Sequence, residues 1–557
     1  MHDRVVSSRP NPALVARDAA TRLPRLALWL FCAAYVLPGL FGRDPWRGAD
    51  LTAFGQMLAI AEGRAPWLAP ALGGVPTDGA LLPNWIGAGF IALTSPWLEP
   101  ALAARVPFAL LLVLTLVAVW YSAFHLARGD AAQPLAFAFG GEATAVDYAR
   151  AIADGALLAV IATLGLLQLG HETTPELAQL AAIASFQWAW SSAGSGLQAG
   201  RLGGMAALPA LAACGAPTVA VALGISALIV TWRDKDHIGR DLWPWLLAAT
   251  ALAAVLAWPV HGWAWRIAPR IDLAQLGKLG LWFLWPAWAL AGWTLWRWRG
   301  FWSQRHLAVP LSSAAVAIVA SIGMGGSDRA LMLGLPGIAV LAAFALPTLK
   351  RTTAAAIDWF SVFFFTVCAL VIWIIYASLH AGIPAQPAAN VTRLAIGFEA
   401  RLSWTELMLA AAATAAWLWL VRWRTRRHRA ALWKSLVLPA GGVALCWLLL
   451  MTLWLPLLDY ARSYRPLMER LSNALPSGTC VAAPGASLSL VAALEYHVKR
   501  RVDASEGAMT GACNAMVLVR RAAVPPPTPA GWEEVLAARR PTERNEITAL
   551  YLRSPPG

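Results

Sequence analysis

The sequence is short of charge. Only 13% of its 557 residues are Asp, Glu, Lys or Arg, about half the ~25% of soluble domains, while 59% are apolar. That balance excludes an ordinary soluble enzyme. Among its 6 cysteines and 9 histidines there is no C-x-x-C pair and no His/Cys cluster with zinc spacing. The excess of basic over acidic residues, 44 against 30, forms no basic stripe on a soluble domain, so no nucleic-acid partner is expected. In a polytopic membrane protein such residues collect in cytoplasmic loops instead. What the chain has in quantity is tryptophan, 31 residues, a side chain suited to membrane–water interfaces.

Arg4, Arg9, Arg17, Arg22 and Arg25 precede the first apolar run, and no small-residue cleavage site follows, so this run reads as an uncleaved first span. Apolar stretches of spanning length lie near 25–41, 80–96, 106–124, 154–170, 177–194, 206–230, 242–260, 279–296, 308–325, 331–349, 357–379, 404–421 and 435–458. The expectation is a polytopic α-helical membrane protein of about thirteen transmembrane helices over 1–458. The runs at 80–96, with Pro83 and Asn84, and at 177–194, with Gln187, are the weakest. A cytoplasmic N-terminus places Arg233, Lys235, Arg240, Arg297, Arg299, Arg305, Lys350, Arg351 and the Arg422–Lys434 block inside, as the positive-inside rule requires. Residues 459–557 then lie outside, in the periplasm, as a small α/β domain with β-prone runs at Thr479–Ala482 and Ala515–Val519, a helical stretch at Leu488–Val498 and a turn-rich break at Pro525–Pro529. In that oxidising compartment Cys480 and Cys513 are either disulfide partners or two unpaired buried thiols.

Span interiors are nearly free of the ionisable residues that ion and proton paths need. Attention therefore falls on the outside loops. Leu51, Phe54, Met57, Leu58 and Ala61 recur at helical spacing between Asp50 and Glu62, predicting an amphipathic juxtamembrane helix at about 50–62 on the membrane face. Asp50 at its start is a candidate catalytic carboxylate or simply a helix cap. In this topology Asp154 opens span four on the outside, and His171-Glu-Thr-Thr174 falls in the cytoplasm as a plain loop.

The order Trp46-x-x-x-Asp50, juxtamembrane helix, Pro66-Trp-Leu-x-Pro70, Asp78, Leu81-Leu-Pro-x-Trp85 and Ala104-Arg-Val-Pro107 resembles the aminoarabinose transferases that modify lipid A, relatives of the protein O-mannosyltransferases. Asp328-Arg-Ala-Leu-Met-Leu-Gly-Leu-Pro336 is similar to that family's Arg-Tyr-x-x-Pro-x-x-Pro region. The resemblance implies a C-type glycosyltransferase fold in the bacterial inner membrane. It implies a sugar donor on polyprenyl phosphate, such as undecaprenyl phosphate, and a lipid A, other glycolipid or protein acceptor. Asp50 and Asp78 match the family's acidic motifs as catalytic residues, although Ala49 replaces one partner of the usual Asp-Glu pair and Gly79 replaces the usual lysine. Of the outside arginines Arg43, Arg47, Arg266, Arg270 and Arg329, Arg329 matches a basic residue before span ten and is the first choice for the donor phosphate, with Arg270 and Arg47 behind it, while a lipid-headgroup contact is the alternative for Arg47 and Arg266.

The chemistry suits these residue types. A carboxylate whose pKa is lifted by burial can take the acceptor's proton, and arginine can hold a departing phosphate through two hydrogen bonds. Asp50 and Asp78 are alternatively ligands for a divalent cation, Mg²⁺ or Mn²⁺. A non-enzymatic protein handling lipid-linked sugars is the competing reading. A surface-polysaccharide polymerase would call for a longer late loop than 380–403.

Overall fold

A computed structural model describes residues 11–553 apart from 78–79, 194–197, 234–236, 259–262, 264–266, 427–430, 512 and 523–528. Asp78, Arg266 and most of the Pro525–Pro529 break therefore lie outside the described residues. Helix α1 (Arg25–Val36) leads into α2 (Ala49–Ala61), a hairpin of β1 (Ala71–Leu72) and β2 (Val75–Pro76), α3 (Leu81–Thr94) and α4 (Pro100–Ala127). Next come α5 (Ala145–Ala162), the single turn α6 (Leu166–Leu169), α7 (Pro175–Ser192), α8 (Gln198–Ala213), α9 (Pro217–Arg233) and α10 (His237–Leu256). The bundle continues with α11 (Leu273–Lys278), α12 (Ala287–Arg297), α13 (Arg305–Gly323), α14 (Asp328–Met332), α15 (Leu335–Ala345), α16 (Arg351–Ala381), α17 (Ala385–Leu394), α18 (Trp404–Arg426) and α19 (Lys434–Leu450). Helices α20 (Leu455–Arg462), α21 (Arg465–Ala474) and α22 (Leu488–Ala493) join a sheet of β3 (Val481–Ala482), β4 (Val502–Asp503), β5 (Ala515–Arg521), β6 (Trp532–Ala538) and β7 (Glu546–Arg553) in the order β4-β3-β5-β7-β6. Strand β3 runs parallel to β4 and β5, whereas β7 is antiparallel to β5 and β6. Cys480 and Cys513 are joined in a disulfide beside β3 and β5.

The chain is a multi-pass membrane protein. Among the described residues four helices, α4, α13, α16 and the Trp404–Thr425 part of α18, are long and apolar enough to cross a bilayer, or five if the bent pair α19 and α20 forms one broken span. Helices α16 and α18 leave Phe363, Leu370, Met408 and Trp419 exposed, an apolar surface that only lipid satisfies.

Two sequence expectations fail, and their errors offset one another. The 206–230 run is two helices, because Gly215, at φ +85°, turns the chain between α8 and α9 and packs against Ala80. Glycine adopts that left-handed conformation without strain, and Pro217 then starts α9. The 80–96 run yields only the 14-residue α3. It begins beside Gly215, its Trp85 Nε1 donates to the Trp67 carbonyl at 2.7 Å, and five residues past its end Glu99 accepts from the Tyr496 hydroxyl of the sheet domain at 2.9 Å. Both ends of α3 thus lie at the sheet-domain end of the bundle. Segments from about residue 97 to 216 consequently run opposite to expectation, while later ones keep their sense.

The other end of the bundle is marked by the N-terminal segment. Asn11 Nδ2 donates to the Gln133 carbonyl at 2.7 Å, the Leu23 amide donates to Asp154 Oδ2 at 2.8 Å, and Trp433 Nε1 donates to the Thr21 carbonyl at 2.7 Å. Asp154, expected outside with the site, is here at the opposite end, also held by Trp120 Nε1 at 2.9 Å.

Helix α2 departs from expectation as well. Rather than lying on the membrane face, it is buried on nearly every side from Asp50 to Ile60. Gly87 of α3 meets its Met57, and its own Gly55 sits so close to Ala492 of α22 that a Cβ there would come within 2.5 Å. The helix is the joint between bundle and sheet domain.

Candidate active site

Between α1 and α2 the chain makes a buried turn, Arg43-Asp-Pro-Trp46, ended by Gly48 at φ +92°. Asp50 is only 2% exposed and accepts four hydrogen bonds. Its Oδ2 takes the Trp46 amide at 3.0 Å and Arg43 Nη2 at 3.4 Å; its Oδ1 takes the Thr173 amide at 2.7 Å and the Thr173 hydroxyl at 2.8 Å. The carboxylate therefore pins the entry of α2 and ties it to the loop before α7. That loop is His171-Glu-Thr-Thr174, expected in the cytoplasm and found against Asp50 because of the reversed segment. Arg43 Nη2 also donates to the His171 carbonyl at 2.8 Å.

The loop brings a second carboxylate. Glu172, 3% exposed, accepts from Gln168 Nε2 at 2.8 Å on one oxygen and from Arg329 Nη2 at 2.5 Å on the other. Burial, reinforced by the nearby negative charge of Asp50, raises its pKa above the ordinary glutamate range, with Arg329 pulling the other way. Arg329 reaches also to Thr174 Oγ1 at 3.2 Å and Glu176 at 3.4 Å. Arg462 closes the ring: its Nη1 donates to Gln168 Oε1 at 2.6 Å, and its guanidinium lies 4.8 Å from the centre of the Trp46 ring, which Arg43 approaches to 4.6 Å. Behind them Asp459 accepts from the Asp44 amide and from Trp46 Nε1, and Asp44 is held by Ser463 and Arg465. Burial opposes ionisation of Asp44, but the hydrogen bonds from Arg465 and Ser463 outweigh it and hold the pKa below the ordinary aspartate range.

Of the residues singled out from sequence, Asp50, Arg329 and Arg43 belong to this cluster. Arg47 does not, since its side chain is exposed and turns to Glu543 at 3.5 Å. Arg270 is exposed in the loop beside Gly325. Both oxygens of Asp50 are engaged by N–H and O–H donors, and no group of three His, Cys, Asp or Glu suited to a metal occurs among the described residues, to which Asp78 does not belong. Sequence reasoning missed Glu172, Thr173, Gln168 and Arg462. The Gly215-Ala-Pro217 break inside an apolar run was the available signal, since dividing that run brings the His171–Thr174 loop to the side of Asp50.

No protein-family model and no curated protein sequence matches the chain. Solved structures do. The chain is similar to ArnT from Cupriavidus metallidurans bound to undecaprenyl phosphate, with a TM-score of 0.62 at 14% identity over 94% of this chain and 96% of that one. The same protein in its apo state gives a TM-score of 0.59 at 13% identity over 95% and 98%. The chain therefore has the fold of ArnT, shared nearly end to end.

Proposed function

We propose that this protein is an integral membrane glycosyltransferase that moves a sugar from a polyprenyl-phosphate carrier to a lipid A, glycolipid or protein acceptor on the periplasmic face of the bacterial inner membrane. On this reading the chain makes about thirteen crossings, with α8 and α9 counted separately and α3 set aside. The N-terminus is cytoplasmic and the sheet domain, 459–557, periplasmic. The observation that carries the proposal is the pairing of Glu172, a buried carboxylate with a raised pKa, with Arg329, and the link through Gln168 to Arg462, in a fold shared with a protein whose structure holds undecaprenyl phosphate.

Glu172 is the base. It takes the proton of the acceptor hydroxyl as that oxygen attacks the sugar's anomeric carbon and the bond to the carrier phosphate breaks. The departing polyprenyl phosphate gains negative charge, and Arg329 and Arg462 neutralise it. Arg329 now rests on Glu172; an arriving phosphate competes for it and leaves the carboxylate more basic. Asp50 acts through the backbone, holding the Glu172 loop against α2.

The test is mass spectrometry of lipid A and total membrane glycans from cells carrying the wild-type, deleted or Glu172→Gln gene. Loss of one defined sugar in both altered strains is expected. A sugar lost on deletion yet retained in Glu172→Gln would favour the transport or scaffold reading.

A further inference from the structure

The end of the bundle away from Glu172 holds a cavity of its own. It measures about 410 Å³ and lies between the N-terminal segment and the turn that follows α12, within the few hundred to ~1,000 Å³ that suits a bound group. Asn11, Pro12, Leu14 and Leu135 form one wall. Hydrogen bonds fix that wall in place: beside the contact of Asn11 with Gln133, the Leu135 amide donates to the Ala13 carbonyl at 3.1 Å, the Ala143 amide to the Val15 carbonyl at 3.1 Å and the Arg17 amide to the Gly141 carbonyl at 2.9 Å. The N-terminal segment is thus laced to the loop between α4 and α5.

The facing wall presents two cations. Trp298 is fully buried against Phe301, His306 and Phe344, and its Nε1 donates to the Phe344 carbonyl at 3.2 Å. Burial of this middle residue turns its neighbours Arg297 and Arg299 outward, where both are exposed and both line the cavity. Among the described residues neither has a carboxylate partner, and no acidic residue lines the cavity. Trp296 and Trp302, flanking the same turn, are more than half exposed, the placement of indoles at the level of lipid headgroups. Leu14 is 63% exposed, and Phe139, in the loop that carries Leu135, is completely so. Apolar surface beside unpaired arginine is left uncovered by water or by a soluble anion, whereas an acidic lipid covers both.

We propose that this cavity binds the headgroup of an anionic glycerophospholipid of the cytoplasmic leaflet, of the phosphatidylglycerol class. Arg297 and Arg299 hold its phosphate through paired hydrogen bonds, and Leu14 and Leu135 meet the glycerol and the start of the acyl chains. A zwitterionic lipid fits less well, because its ammonium finds no carboxylate in the lining. The leaflet follows from the cytoplasmic N-terminus of the proposed topology, and nothing in the binding depends on sugar transfer.

The experiment is native mass spectrometry of the full chain in a non-ionic detergent, titrated with phosphatidylglycerol and with phosphatidylethanolamine of the same acyl chains. Phosphatidylglycerol is expected to bind roughly tenfold tighter or more, and Arg297→Gln/Arg299→Gln to lose that margin. Leu135→Asp, which sets a carboxylate on the facing wall, is expected to weaken phosphatidylglycerol in the same direction while the protein still elutes as a monodisperse peak. Lys350→Gln/Arg351→Gln removes equal charge from exposed positions at the same end of the bundle but outside the cavity, and is expected to leave the affinity within about twofold of the wild type, since it spares both arginines that hold the phosphate. Equal affinity for the two lipids, or an equal loss in the two double variants, would overturn the proposal, the latter by reducing the effect to general surface charge. Displacement of phosphatidylglycerol by inorganic phosphate would overturn it in favour of a soluble anion. Glu172→Gln is expected to bind the lipid as the wild type does, so failure of the transferase reading and failure of this one are read separately.

Discussion

Asp50 and Glu172 are both buried, lie on the two sides of one interface and are linked through Thr173, yet they are equipped for different work. Asp50 has its acceptor positions filled by two backbone amides, the Thr173 hydroxyl and a buried arginine. Glu172 is held by two flexible side chains, Gln168 and Arg329, one of which a phosphate anion can draw away. Burial alone therefore does not identify a base. What distinguishes the two is whether the partners can leave.

The largest expected effect that would sharpen this comparison is in Glu172→Gln. Removing a general base costs roughly 10²–10⁴ in rate, and transfer from a polyprenyl-phosphate sugar should fall by that much. Because the raised pKa means that ionised Glu172 costs the fold stability at neutral pH, the Tm of the variant should be unchanged or higher. A parallel loss of Tm would erase the distinction between the two carboxylates. Asp50→Asn should do the reverse. With Arg43 fully buried beside it, removing the charge leaves an unpaired guanidinium, a loss of about 3–5 kcal/mol of stability, read as a fall in Tm in detergent or nanodiscs.

Further from the site, breaking the Cys480–Cys513 bridge with Cys513→Ser should cost the sheet domain about 2–4 kcal/mol, seen as faster proteolysis of that domain with the membrane helices intact. The pH dependence separates two further groups. The acid limb of the transfer rate should lie above the ~4.3 of an ordinary glutamate, tracking Glu172, and should be absent from any residual activity of Glu172→Gln. The Asp44 contribution to stability has the opposite sense. Its lowered pKa stabilises the fold above the ordinary aspartate value of ~3.9, and that support is lost as pH falls through the lowered value. Smallest of all, Arg47→Gln and Arg270→Gln should change stability by less than ~0.5 kcal/mol, the range of surface substitutions, and leave the transfer rate near that of the wild type.

Much of this was legible in the sequence, because lipid imposes a strong filter: apolar runs of spanning length, basic segments at one end and a polar tail. The runs at 154–170 and 357–379 correspond to α5 with α6 and to α16. Asp50 stood out because charge is rare in this chain, and the first four residues of the Ala515–Val519 run became the buried and half-buried start of β5. What was not legible was direction. Hydropathy does not distinguish a helix that crosses from one that dips and returns, and α3 is as apolar as its neighbours. Gly215 and Pro217 did mark the compensating break, but a continuous apolar run masked them. One such pair of errors leaves the basic-residue pattern of all later loops unchanged, so the positive-inside rule could not detect it. The same inversion separated Asp50 from its partners in the reading and moved Asp154 in their place.

The transfer rate per folded molecule for Asp50→Asn and Glu172→Gln side by side, with the folded fraction taken from the monodisperse peak in size-exclusion chromatography, separates a base from a structural carboxylate. Asp50→Asn is expected to lose yield and Tm while its folded molecules work within about tenfold of the wild type, and Glu172→Gln to fold normally and lose at least about 10² in rate. Folded Glu172→Gln protein that transfers sugar at the wild-type rate, beside folded but inactive Asp50→Asn, would contradict the assignment of Glu172 as the base.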